Sequence, residues 1–143
     1  MLEILTKSKS ETQKVAALLA RSVKPPVVVA LVGELGAGKT TFAQGFAHAL
    51  GVKEKIQSPT FVLLKIYKIK KGTVRHLVHI DCYRINSPKD MLHLGFKNLL
   101  RDKDAIIVIE WAERVRRLLP KHTRWIKFQH GRYPRERLIS IRP

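Results

Sequence analysis

Residues 27–32 and 105–109 are apolar at every position and rich in Val and Ile. Unbroken, β-branched runs of this length read as strands buried on both faces. Between 10 and 23 the apolar residues Val15, Ala16, Leu18 and Leu19 recur at helical spacing. Ser10 stands as the N-cap of that helix, and Lys24-Pro25-Pro26 ends it. Residues 2–5 form a short first strand. A second amphipathic helix runs from Lys39 to about Leu50 and closes at Gly51. Ser58-Pro59 marks a turn. Residues 61–69 and 73–80 are rich in Val, Ile and Tyr around Lys71-Gly72, the pattern of a hairpin. Residues 88–100 look helical, with Gly95 interrupting. Residues 124–128 and 137–141 flank a turn at 131–134 and can pair. Helices between buried strands, with hairpins added, give an α/β fold: one domain over residues 1–143, with a mixed parallel and antiparallel sheet flanked by helices.

With 143 residues there is room for one core and not two. Hydrophobic residues make up 45%, too many for a disordered chain. No apolar run nears the roughly 20 residues of a membrane helix. The N-terminus lacks a basic stretch followed by an apolar core, so no secretory signal is read there. Cys82 is the single cysteine, which excludes an internal disulfide and fits a reducing cytoplasm. Charge changes the picture more. Lys and Arg number 28 against 11 acids, a net +17. Residues 114–143 hold ten bases and one acid, whereas 27–50 is neutral. Such a field speeds encounter with polyanions. A general basic bias of solvated Lys and Arg gives the same count.

The clearest chemistry is G-E-L-G-A-G-K-T at residues 33–40, a full match to the phosphate-binding loop G-x-x-x-x-G-K-[ST]. A buried strand precedes it and a helix follows, the context the loop needs. Backbone N–H groups from Gly33, Leu35, Gly36, Ala37 and Gly38 can turn inward around phosphate oxygens, and the helix dipole through Lys39, Thr40 and Thr41 adds to the field. Lys39 can reach the β- and γ-phosphates; the Thr40 hydroxyl can ligate Mg²⁺. No N-K-x-D tetrapeptide for reading guanine is present, which favours ATP. Two acids end apolar strands: Glu110 after Ala-Ile-Ile-Val-Ile, and Asp81 after Leu77-Val78-His79-Ile80. In an open α/β sheet the ligand crevice lies at the carboxyl ends of strands. Glu110 is expected to serve Mg²⁺ with water between, and Asp81 to orient the attacking water or share the metal. A strand-end acid paired with a nearby arginine is the plainer reading of each. Arg84 is the nearest candidate for a cation on the developing charge.

Four segments, G-E-L-G-A-G-K-T-T, S-P-T-F (58–61), H-I-D-C-Y-R (79–84) and I-E-W-A-E-R (109–114), resemble in order and separation the bacterial TsaE family, formerly YjeE. The resemblance covers about residues 12–132. It implies a small P-loop ATPase serving the synthesis of threonylcarbamoyladenosine beside the tRNA anticodon. Such a protein binds the TsaB–TsaD pair and hydrolyses ATP so that the pair can turn over repeatedly. It places Mg²⁺ on Thr40 and Glu110 and gives Asp81 an essential role in hydrolysis. It also makes Ser58-Pro59-Thr60 a switch-like segment and sets Thr12 and Arg132 beside the nucleotide. The chain departs from the family pattern at Lys89-Asp90-Met91-Leu92, where relatives often carry E-E-L, and in its basicity; both changes touch the expected partner surface rather than the nucleotide site. Two other functions compete. A small-molecule kinase shares the loop but needs a lid and an acceptor pocket. A tRNA-binding module with structural ATP would use the charge but has no need of two strand-end acids.

Overall fold

The computed structural model describes residues 1–57, 64–70 and 72–142. The turn and switch expected at Ser58-Pro59-Thr60, the start of the 61–69 strand and Lys71 of its hairpin lie outside the described residues. In chain order the elements are β1 (Leu2–Thr6), α1 (Lys9–Ser22), β2 (Val27–Gly33), α2 (Lys39–Ala49), β3 (Leu64–Lys68), β4 (His76–Asp81), α3 (Pro88–His93), α4 (Phe96–Leu100), β5 (Ala105–Glu110), a 3-10 segment (Ala112–Leu118), β6 (Arg124–His130) and β7 (Arg137–Ile141).

The strands form one seven-stranded sheet ordered β1-β7-β6-β2-β5-β4-β3. Its middle is parallel: β2 pairs β5 and β6, and β4 pairs β5. Both margins are antiparallel, β3 on β4 and the β1-β7-β6 ribbon. The α/β architecture with a mixed sheet is therefore the one expected. The two apolar runs are the two central strands, β2 and β5, and both are covered on each face. On one face α1 and α2 bury Ala16, Leu19, Phe42 and Phe46 against Val29, Leu31, Val108, Ile126 and Phe128. On the other, α3, α4 and the 3-10 segment bury Met91, Phe96, Ala112 and Val115 against Val28, Ala30, Ile107 and Ile109.

Three local details differ from the sequence reading. Helix α1 is capped by Ser8, not Ser10: the Ser8 Oγ accepts from Glu11 N at 3.1 Å, and Lys7 N donates to Glu11 Oε1 at 2.8 Å. One orphan donor of the helix and the N–H just before the cap are satisfied that way, so the helix begins two residues earlier. Helix α2 is buried around more of its circumference than an amphipathic pattern indicates, because it lies between α1 and the sheet. At Gly45 the two helices touch so closely that a Cβ would sit 2.6 Å from Gln13 Cα. The helical stretch at 88–100 is two short helices, since Gly95 adopts φ +82 and turns the chain between them.

Candidate active site

Parallel pairing brings three strand ends to one place. In the register Leu31 pairs with Glu110, and Glu110 with Asp81. Side chains alternate along a strand, so His79, Asp81, Val108 and Glu110 project to the same face. That is the face on which α2 begins.

The loop between β2 and α2 has the backbone its glycines allow. Gly33 has φ +148, and a Cβ there would lie 2.5 Å from Phe128 O on the neighbouring strand. Gly38 caps α2 with φ +105 and accepts the first helical hydrogen bond, from Phe42 N, at 2.9 Å. Within the loop Ala37 N donates to Glu34 O at 3.1 Å. Lys39 turns back into the loop: its Nζ donates to Gly33 O at 2.5 Å and Glu34 O at 2.7 Å, with the Trp111 ring centroid 4.1 Å away. Burial lowers the Lys39 pKa, while Glu110, Glu113, Asp81 and Glu34 pull it back up. The ammonium thus rests in a pocket of carbonyls and π density.

Thr40, the next residue, donates from Oγ1 to Glu110 Oε1 at 2.7 Å. The other carboxylate oxygen, Oε2, lies 2.6 Å from His79 Nε2. Glu110 is 2% exposed and Asp81 5%, so both strand-end acids are buried at the mouth of the sheet. Asp81 Oδ1 accepts from Tyr83 N at 2.9 Å. Directly after Glu110, Trp111 adopts φ +58, a left-handed backbone rare for a large side chain. This turn lays its ring between Lys39 and Tyr83, whose ring is 5.0 Å from it.

These groups line a cavity of about 920 Å³, together with Ser8, Thr12, Leu35, Gly36, Gly38, Thr41, Arg135 and Arg137. Thr12 stands at its rim, its Oγ1 2.8 Å from that of Thr6. Of the residues singled out in the sequence, Gly33 and Ala37 are not in the wall. Gly33 still acts on it through the carbonyl that holds Lys39. Arg132 is not in the wall either; its guanidinium lies 5.8 Å from the Tyr133 ring. Arg84 is exposed and also outside the lining. The arginines that do line the cavity are Arg135 and Arg137, which the sequence reading passed over. Arg137 donates to Gly36 O at 3.0 Å and to Pro134 O at 2.7 Å, stapling the β6–β7 turn to the phosphate loop. The available signal was β-strand alternation, which puts Arg137 on the same face as Ile139 and Ile141.

A buried strand, a glycine loop, a helix-opening lysine and threonine, and a carboxylate on the adjacent parallel strand define a nucleotide-binding P-loop protein. The family model of the threonylcarbamoyl adenosine biosynthesis protein TsaE matches residues 6–139, and the chain belongs to that family. It is 42% identical over 117 residues to "tRNA threonylcarbamoyladenosine biosynthesis protein TsaE" of Rickettsia felis, a match covering 81% of this chain and 66% of that protein. To the Bacillus subtilis protein of the same name it is 37% identical over 116 residues, 81% of this chain and 70% of the relative. The match to the Treponema pallidum protein is 37% over 122 residues, 85% and 87% of the two chains. A crystal structure of Bacillus subtilis YdiB superposes with a TM-score of 0.79 at 32% identity, over 98% of this chain and 83% of that one. The family takes part in making tRNA threonylcarbamoyladenosine. No helix among the described residues is long and apolar enough to cross a membrane.

Proposed function

We propose that this chain is a Mg²⁺-dependent ATPase. It would act in the cytoplasm, as a single domain, on a TsaB–TsaD pair, so that tRNA threonylcarbamoyladenosine synthesis can repeat. The observation that carries the reading is the convergence of Lys39, Thr40, Glu110 and Asp81 at one cavity mouth.

The donor set suits Mg²⁺. Thr40 Oγ1 and Glu110 Oε1 are hard oxygens 2.7 Å apart, at the start of the helix where the phosphates would lie. Among the described residues no three His, Cys, Asp or Glu side chains converge on an ion. The remaining ligands would come from phosphate and water, the usual Mg²⁺ arrangement with nucleotides. Bound there, the ion neutralises charge on the β- and γ-phosphates. The loop N–H groups would hold the phosphate oxygens, and Lys39 would exchange the carbonyls of Gly33 and Glu34 for the β- and γ-phosphates. Asp81, beside Glu110 on the neighbouring strand, is positioned to accept the hydrogen bond of an attacking water. Thr12, Leu35, Arg135 and Arg137 enclose the rest of the nucleotide. Action on TsaB–TsaD is supported by family membership together with the segments at 58–61 and 79–84.

Turnover of the isolated chain should stay below about one per minute, the range of P-loop proteins without an activating cation, and the pair should raise it. The chain should also bind TsaB–TsaD more tightly with a non-hydrolysable ATP analogue than with ADP, because a nucleotide shifts docking only by its differential affinity. Equal affinity in both states, at matched salt to control for the charge of +17, would show that hydrolysis does not gate assembly.

A further inference from the structure

We propose that His79 is the positioning residue of the site: it fixes the Glu110 carboxylate so that Oε1 stays turned toward Thr40 and the cation. This rests on reading the site as a Mg²⁺-nucleotide site. His79 is 2% exposed, on β4, the outermost of the parallel strands on its side of the sheet, and is not itself part of the cavity wall, although Glu110, which it touches, is. Its Nε2 lies 2.6 Å from Glu110 Oε2. A carboxylate can only accept, so the ring proton at this contact sits on Nε2. The other nitrogen, Nδ1, is buried and is the one such atom without a hydrogen-bond partner among the described residues. An imidazole placed for general packing would be expected to satisfy both nitrogens. Among the described residues this one has its polar side-chain contact with Glu110.

The geometry explains why the carboxylate needs it. Among the described residues Glu110 has two side-chain partners: Thr40 on Oε1 and His79 on Oε2. When Thr40 Oγ1 turns a lone pair to a cation, its O–H can still donate to Oε1, so the hydroxyl holds one carboxylate oxygen and the imidazole the other. His79 thereby sets the plane of a buried carboxylate that sits opposite Asp81 in the register. Without it the carboxylate would be free to rotate about the Thr40 contact, away from that neighbouring negative charge. Carboxylates that serve metals are themselves hydrogen-bonded, and losing such an outer partner typically costs about 10- to 100-fold in metal affinity.

The test pairs His79→Gln with His79→Asn. A Gln amide reaches the Nε2 position; an Asn amide reaches only the Nδ1 position, where nothing accepts it. Calorimetry of ADP binding, with and without Mg²⁺, separates nucleotide from cation. His79→Gln should keep the Mg²⁺-dependent gain in affinity. His79→Asn should lose about 10- to 100-fold of it and bind ADP alone as the wild type does. A full Mg²⁺ gain in folded His79→Asn, or its loss in folded His79→Gln, overturns the proposal. On the wild-type chain, ¹H–¹⁵N correlation of the imidazole should place a proton on Nε2. A ring protonated on Nδ1 alone overturns it even if neither variant folds. Wild-type protein that fails to bind ADP at all would instead sink the nucleotide-site reading.

Discussion

Replacing Lys39 with methionine keeps the stem and removes the ammonium. In the nucleotide-free chain two effects then oppose each other. The Gly33 and Glu34 carbonyls lose their donor, and the contact with Trp111 weakens. Against that, a buried charge no longer has to be desolvated, the same burial that lowers the lysine pKa. The fold should therefore survive, with far-UV dichroism and a cooperative melt as the control. Nucleotide binding has no such offset. The phosphates lose a charge-assisted hydrogen bond worth about 1.5–3 kcal/mol, and 1.4 kcal/mol is tenfold in affinity. ATP-analogue and ADP affinities, measured by calorimetry with saturating Mg²⁺, should fall by about 10- to 140-fold. An affinity within twofold of wild type in a folded variant would mean that Lys39 never leaves the carbonyls, and the phosphate assignment of the loop would fall with it.

Asp81→Asn keeps shape and deletes charge: ATP should still bind while turnover drops by about 10² or more, the scale of a positioned base. Unchanged turnover would move that role to Glu110. Phe42→Ala should cost about 3–5 kcal/mol in chemical denaturation, because the ring is fully buried and packs edge-on against Phe128 at 5.2 Å; a loss under 1 kcal/mol would contradict the packing of α2 on the sheet. Burial pushes the Cys82 thiol up to about 12, so alkylation by iodoacetamide at pH 8 should proceed only as fast as the chain opens. The sign for stability follows: the unfolded thiol releases its proton first, so this contribution is intact below about pH 8.5 and fades as pH rises toward 12. Rapid labelling of native protein would refute the burial.

The phosphate loop, the two central strands and the two strand-end acids were legible because each is local. A glycine loop must have glycines where the backbone turns, and a strand buried on both faces must be apolar at every position. The Ser8 cap was missed because Ser8 and Ser10 both have a Glu or Gln three residues on, and only the bonds of Glu11 separate them. The 3-10 segment after Glu110 and the left-handed Trp111 carry no periodicity to read. What sequence alone could not decide is which strands lie side by side. Register made Asp81 the neighbour of Glu110, put His79 diagonally behind it, and set β1 at one edge of the sheet by pairing it with β7. Those pairings join residues far apart in the chain, so no local pattern encodes them. For the same reason Arg135 and Arg137, rather than Arg132, came to the cavity wall: the β6–β7 turn is placed by its contact with the loop at Gly36, 101 residues away. Local chemistry selected the nucleotide loop; only long-range packing, which alone can bury charged groups beside one another, assembled the groups that act on what the loop holds.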